Sequence, residues 1–350
     1  SIIVIITMKH PEVKYIGFLT LLYAGTTSLV SFNYSILNYK VKMLEQWSLS
    51  AGNPSRHSLE GGTSETLRNG IVSNTENVKL ISVHNTRHLK PLSDNQFGHY
   101  LAGLIDGDGH FSSEATLLYT AKLQRQQLVI AFDSSDVSLA YYIRTRLGFG
   151  SVKEVKSKKI ILLIITKRAG LEKVLNLING KLRTQIQYDA VKNYILNGPN
   201  FSLKIDFKLN DSNCLNNHWL AGFSDASATF QIINLKTRIK LALLINKDNK
   251  ELLILIRNFW GGNLSYNKAK DSYTYDSSSY GSARKIIKYF DKFHLQSSKY
   301  IDYIKWRKVY VLVQNKDHLT DRGIKKIIKL KNSISNLNND TIQDKVLTKM

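Results

Sequence analysis

Two stretches of this chain, LAGLIDGDG at 101–109 and LAGFSDASA at 220–228, read as one short unit written twice, 119 residues apart. That spacing constrains the fold more than any composition does. It leaves each copy the length of one compact module, and two copies of a module in one chain pack as a pseudo-symmetric pair. In FGHYLAGLIDGDGHF, 97–111, Phe97, Leu101, Leu104 and Ile105 recur at helical spacing until Asp and Gly stop the helix. Ala102 and Gly103 are small. A glycine inside a helix costs about 1 kcal/mol relative to alanine, and close approach of a second helix offsets that cost. The second copy puts Gly222 at the matching place.

The segments after each copy also match. In the first, strand patterns at 115–123 and 126–132 precede a helix over 133–148, the strands FGSVKEV and KKIILLIIT, and a helix over 168–182. In the second, a leading helix and its exit, 218–230, precede strands at 229–235 and 237–245 and a helix over 246–262. Strands at 263–268 and 272–278 and a helix over 281–293 complete it. The predicted class is α+β, with two pseudo-symmetric αββαββα repeats at 96–200 and 214–335 and a tail at 336–350. Alternation along the strands gives each sheet one face against helices and one solvated, basic face. Packed through their leading helices, with Gly103 and Gly222 at the crossing, the repeats line one broad groove.

Charge says what such a groove is for. The 350 residues hold 49 Lys and Arg against 27 Asp and Glu, a formal net charge of +22. Residues 1–100 carry nine basic and six acidic side chains, which leaves forty and twenty-one, net +19, for 101–350. The partner is a polyanion: nucleic acid, or as the rival an anionic membrane surface. From Lys299 to Lys331 ten basic residues face three acids, with Tyr303, Trp306 and Tyr310 interleaved. Those aromatics read as the core side of an amphipathic helix, and the lysine excess as phosphate contact. The single cysteine, Cys214, excludes an internal disulfide and a cysteine-built zinc or iron–sulfur site.

Residues 1–95 read as an extension and linker. Between Lys14 and Lys40 lie 25 uncharged residues, 15–39, long enough for a bilayer-crossing hydrophobic helix. Their many Thr, Ser, Asn and Tyr residues suit a buried helical hairpin or the remnant of an upstream reading frame better. No basic region precedes the first apolar run, SIIVIIT, as a cleavable signal requires. The initial Ser fits release from a longer precursor. Residues 49–78 are rich in turn formers.

The two leading helices deliver Asp106 and Asp108, and Asp225 and Ser227, side by side at their C-terminal ends. Carboxylates there, beside helix-end carbonyls, suit hard divalent cations such as magnesium, and paired metals hydrolyse phosphodiesters. On these residues the chain resembles the two-motif LAGLIDADG family of homing endonucleases and group I intron maturases, over about 95–335. LAYYIRTRLGFGSV, GLEKVLNLINGKLRT and GSARKIIKYFD resemble its fungal mitochondrial members.

The resemblance implies a saddle of strands that grips DNA, with the motif helices as its interface. It makes the eighth motif residue, Asp108, the metal-binding acid, and puts Ser227 at that place in the second motif. It assigns the sixth residues, Asp106 and Asp225, to helix capping and the interface; Asp225, two places before Ser227, could stand in as a metal ligand only with a local unwinding of the helix end. Lys181 and Lys299 match the family's helper lysines. Phosphate contacts are expected from Lys236, Arg238, Lys240, Lys268, Lys270, Arg307, Lys325, Lys326 and Lys329. Serine for aspartate implies impaired cleavage at a weakened magnesium site.

The expected function is therefore a monomeric maturase of the mitochondrial matrix that binds a group I intron RNA. The alternatives are a site-specific double-strand endonuclease or nickase acting on a DNA target site, and a structural RNA-binding protein of a mitochondrial ribonucleoprotein such as the ribosome.

Overall fold

A computed structural model of the chain describes residues 17–23, 26–32, 80–118, 121–198, 205–235 and 238–334. It divides into two bodies, 1–75 and 76–350. In the first, β1 (Gly17–Tyr23) and β2 (Thr26–Phe32) form an antiparallel hairpin, Gly17 opposite Phe32 and Tyr23 opposite Thr26. This corrects the helix expected over 15–39, of which 15–16, 24–25 and 33–39 lie outside the described residues. The two segments, GFLTLLY and TTSLVSF, hold Thr, Phe, Val and Tyr, side chains that fit a pleated strand better than a helix. Among the described residues no helix is long and apolar enough to cross a membrane.

The second body holds both repeats. The first runs α1 (Asp94–Asp108), β3 (Gly109–Leu118), β4 (Ala121–Asp133), α2 (Val137–Leu147), β5 (Ser151–Val155), β6 (Ile160–Ile165) and α3 (Arg168–Ile178). A short α4 (Gln185–Ala190) follows and continues as a π-helical turn, Val191–Leu196. The second repeat runs α5 (Trp219–Ser227), β7 (Ala228–Leu235), β8 (Arg238–Lys247), α6 (Lys250–Trp260), β9 (Asn263–Asn267), β10 (Ser272–Asp276) and α7 (Tyr280–Phe290). Helices α8 (Lys299–Gln314) and α9 (Asp321–Ser333) complete it. The sheets share one antiparallel order, β3-β4-β6-β5 and β7-β8-β10-β9. Their registers match: Gly109 faces Ile130 and Ala228 faces Ile245.

Local chemistry sets the ends that matter. Ser93 caps α1 in a reciprocal capping box with Gln96. Asn249 accepts from Leu252 N and starts α6 at Lys250, four residues later than the pattern predicts. The residues so released extend β8 to Lys247.

In the first repeat Phe111, Leu128, Ile130, Phe132, Leu163 and Ile165 enter the core on the helix side of the sheet. In the second, Phe230, Ile232, Leu243, Ile245 and Tyr275 do the same. The alternate positions, among them Ser112, Gln127, Gln231, Lys240, Asn246 and Thr274, share the opposite, groove face. Phe230 packs against Phe290, Tyr303 and Trp306, so the C-terminal aromatics are core.

Residues 81–92, expected as linker, are a strap tied to both repeats. Ile81 exchanges backbone bonds with the Gln314 amide, and His88 Nε2 bonds Leu295 O at 2.8 Å. Arg146 of the first repeat donates to Pro91 O and Leu92 O, each at 2.7 Å.

Candidate active site at the motif-helix ends

α1 and α5 cross at their glycines. A methyl on Gly103 would lie 1.8 Å from Trp219 O, and one on Gly222 2.0 Å from Tyr100 O. The contacts are reciprocal, since Tyr100 and Trp219 hold the same place in the two motifs. No side chain larger than hydrogen fits either position without parting the helices.

A polar pair closes the crossing. Trp219 Nε1 donates to Asp106 Oδ2 at 2.8 Å, and Tyr100 OH donates to Asp225 Oδ2 at 2.7 Å. Asp106 also accepts from Arg183 N, Thr184 N and Thr184 Oγ1, and Asp225 from Gln296 N, Ser297 N and Ser297 Oγ. Burial pushes the Asp106 carboxyl up to about 6 against the pull of its donors, and raises that of Asp225 likewise. Both oxygens of Asp225 are occupied and the residue is 6% exposed, so it is an interface carboxylate and not a stand-in metal ligand. Tyr100, Trp219, Thr184 and Ser297 did not stand out in the sequence. The shared 119-residue offset of Tyr100 and Trp219 was their one visible signal.

Two residues on, the symmetry fails. Asp108 ends α1 with its side chain 8% exposed, and its Oδ1 lies 3.8 Å from Lys247 Nζ. Burial raises its pKa, while Lys247 and Lys299 pull it down. Lys247 Nζ donates to Gly107 O at 2.6 Å, and Lys299 Nζ to Ala226 O at 3.0 Å. Ser227 Oγ is buried without a hydrogen-bond partner. The floor thus holds one carboxylate, one neutral hydroxyl and two ammoniums. Among the described residues no three His, Cys, Asp or Glu side chains gather around a metal position. This donor set does not fit a magnesium pair, which asks for several oxygen ligands and negative charge.

The other expected residues are dispersed. Lys181 lies at the far end of α1: its Cε is 3.3 Å from the place of a methyl on Gly98. Gly98 is ten residues, about 15 Å, from Asp108 at helical rise, so Lys181 does not join the acid. Arg307, expected on the phosphate face, is 2% exposed and forks onto Asp291, which corrects that expectation. Lys240 is on the groove face, paired with Asp276 at 2.9 Å. Lys268 and Lys270 are exposed in the β9–β10 turn. Lys325, Lys326 and Lys329 are exposed on α9, whose buried Gly323 and Ile327 face the body. Lys236 lies outside the described residues, and the Arg238 side chain is likewise outside them.

A profile described as LAGLIDADG endonuclease matches residues 101–195 and 220–310, the two repeats with their motif helices. The chain belongs to this family. A Schizosaccharomyces pombe protein described as an uncharacterized cox1 intron-2 37.2 kDa protein is 49% identical over 332 residues, 90% of this chain and 97% of that one. The intron-encoded DNA endonuclease aI3 of Saccharomyces cerevisiae is 27% identical over 69% of each chain. The intron-encoded RNA maturase bI4 of the same yeast is 31% identical over 60% of this chain and a 33% share of its own length. The LAGLIDADG homing endonuclease I-GzeII, solved with its DNA target, superposes with a TM-score of 0.56 at 18% identity, over 69% of this chain and 99% of that one. This LAGLIDADG protein therefore has the endonuclease fold and intron-encoded relatives of both kinds.

Proposed function

We propose that this LAGLIDADG protein is a mitochondrial maturase that binds and stabilises a group I intron RNA and assists its splicing. One observation carries the reading: the second motif helix ends in Ser227, a neutral side chain, where paired-metal cleavage of two strands asks for a second acid. The groove and the +19 charge of residues 101–350 remain, which favours binding without cutting. In such a role the RNA supplies the chemistry, and the protein holds its fold through backbone and shape contacts. The likeness to the yeast RNA maturase supports it.

Site-specific DNA cleavage or nicking is the second reading. It is favoured by the retained Asp108 and by the DNA-bound endonuclease of the same fold. The two readings separate in one experiment. Purified protein is offered the intron-containing precursor RNA and, separately, a plasmid carrying the uninterrupted insertion site in magnesium buffer. Faster splicing with an uncut plasmid is the expected result. Efficient linearisation without any effect on splicing would overturn it.

A further inference from the structure

Lys247 and Lys299 are placed alike but arise differently. Each ammonium rests on the penultimate carbonyl of one motif helix, Gly107 O or Ala226 O, and those two residues hold the same place in the repeat. Neither lysine has a counterpart in the first repeat. By strand register Lys247 corresponds to Phe132, a core residue 4% exposed. By their matching bonds to Asp106 and Asp225, Thr184 corresponds to Ser297, so Lys299 corresponds to Ile186. The two cations are thus features of this site and not consequences of the duplication.

The carbonyls they hold are the negative ends of two helix dipoles, which with Asp108 are the natural oxygen ligands of a hard cation. Here both are taken by ammoniums. The charge sum over Asp108, Lys247 and Lys299 is positive by one, which repels a divalent ion and attracts an anion. A lysine ammonium has three donors. Lys247 places one on Gly107 O, and Lys299 donates to Ala226 O and, at 3.5 Å, to Ser224 O. Both residues keep partial exposure.

The geometry points to a metal-free phosphate site: Lys247 and Lys299 are resident cations that take the place of divalent metal and offer their remaining donors to a backbone phosphate of the nucleic acid in the groove. The inference rests on the groove holding nucleic acid, but not on which RNA or DNA it holds.

The test begins with the full chain free of nucleic acid, titrated with Mn2+ and followed by electron paramagnetic resonance. Wild type and Ser227→Asp should show no saturable site, whereas Ser227→Asp with Lys247→Gln should gain one that Asp108→Asn abolishes. The charge-keeping Lys247→Arg in the Ser227→Asp background should gain none. A saturable, Asp108-dependent site in wild type or in Ser227→Asp alone would overturn the inference, and those two proteins need no lysine change to be read. A folded double variant that gains no site would also overturn it.

The second arm measures binding of a labelled DNA duplex across a salt series in EDTA. Lys247→Gln with Lys299→Gln should make the log–log slope shallower by about 0.9 for the phosphate lost. An unchanged slope would remove the phosphate from the proposal. Failure of the maturase reading would instead appear as unaided splicing, with the Mn2+ and salt results unaffected.

Discussion

At Gly222 the chain has room for one hydrogen atom. A methyl there would sit 2.0 Å from Tyr100 O, so Gly222→Ala must part the two motif helices. We expect a loss of about 1–3 kcal/mol from overpacking, read as a lower denaturant midpoint. An unchanged midpoint would count against the crossing. Gly103 and Gly222 were legible as a pair in the sequence, because a glycine at the same place inside two helices marks where their backbones touch. Arg307 was not. A guanidinium in a lysine-rich helix looks like a surface charge, and only the fold brings Asp291 beneath it, with Nε–Oδ1 at 2.9 Å. Arg307→Ala leaves that carboxylate in a pocket built for a cation, and should cost about 3–5 kcal/mol. A melt within experimental error of wild type would count against the pair as a structural tie.

Among elements, the motif helices were the most legible and the ends of strands the least. The helices carry their own period and their own repeat. The boundary between β8 and α6 turns on the Asn249 cap, and a shift there decides whether Lys247 belongs to a helix or closes a strand beside Asp108. Four residues before the crossing glycines of α1 and α5, His99 and His218 also match by the 119-residue offset. Burial pushes each imidazole down to about 4 from 6.5, helped at His99 by Lys181 and Arg183 and at His218 by His294. A depressed folded-state value means the native state binds fewer protons than the unfolded chain. The stability these two contribute is therefore present above pH 6.5 and lost as pH falls through about 4. Replacing both with Asn should flatten that part of the stability–pH curve relative to wild type. Equal acid sensitivity in the two proteins would contradict the assignment. Helix α9 carries a different expectation. Neutralising Lys325, Lys326 and Lys329 together should weaken RNA binding and flatten its salt dependence, whereas Asp108→Ala should leave splicing assistance intact. Titrations of both variants across a salt series, beside a splicing assay, decide between a phosphate-binding helix and a solvated one.

At the scale of the molecule, the α+β saddle followed from the duplication, while the strap over residues 81–92 had no periodic signature to betray it. Its bonds join its backbone and the His88 ring to groups distant in the sequence, which no local pattern encodes. The strap also fixes an order of events. Ribosomes deliver a chain from its N-terminus, so His84 emerges 223 residues before Arg307, which bonds its carbonyl. At ordinary elongation rates that is a wait on the order of 10–45 s. During that interval the first repeat can form and hold Pro91 and Leu92 through Arg146, but residues 81–89 have nothing to bind in the second, and their backbone stays open to proteases and chaperones. Helix α8 carries the Arg307 and Gln314 side chains that fasten the first described segment of this body, so the strap closes only after that helix has been made.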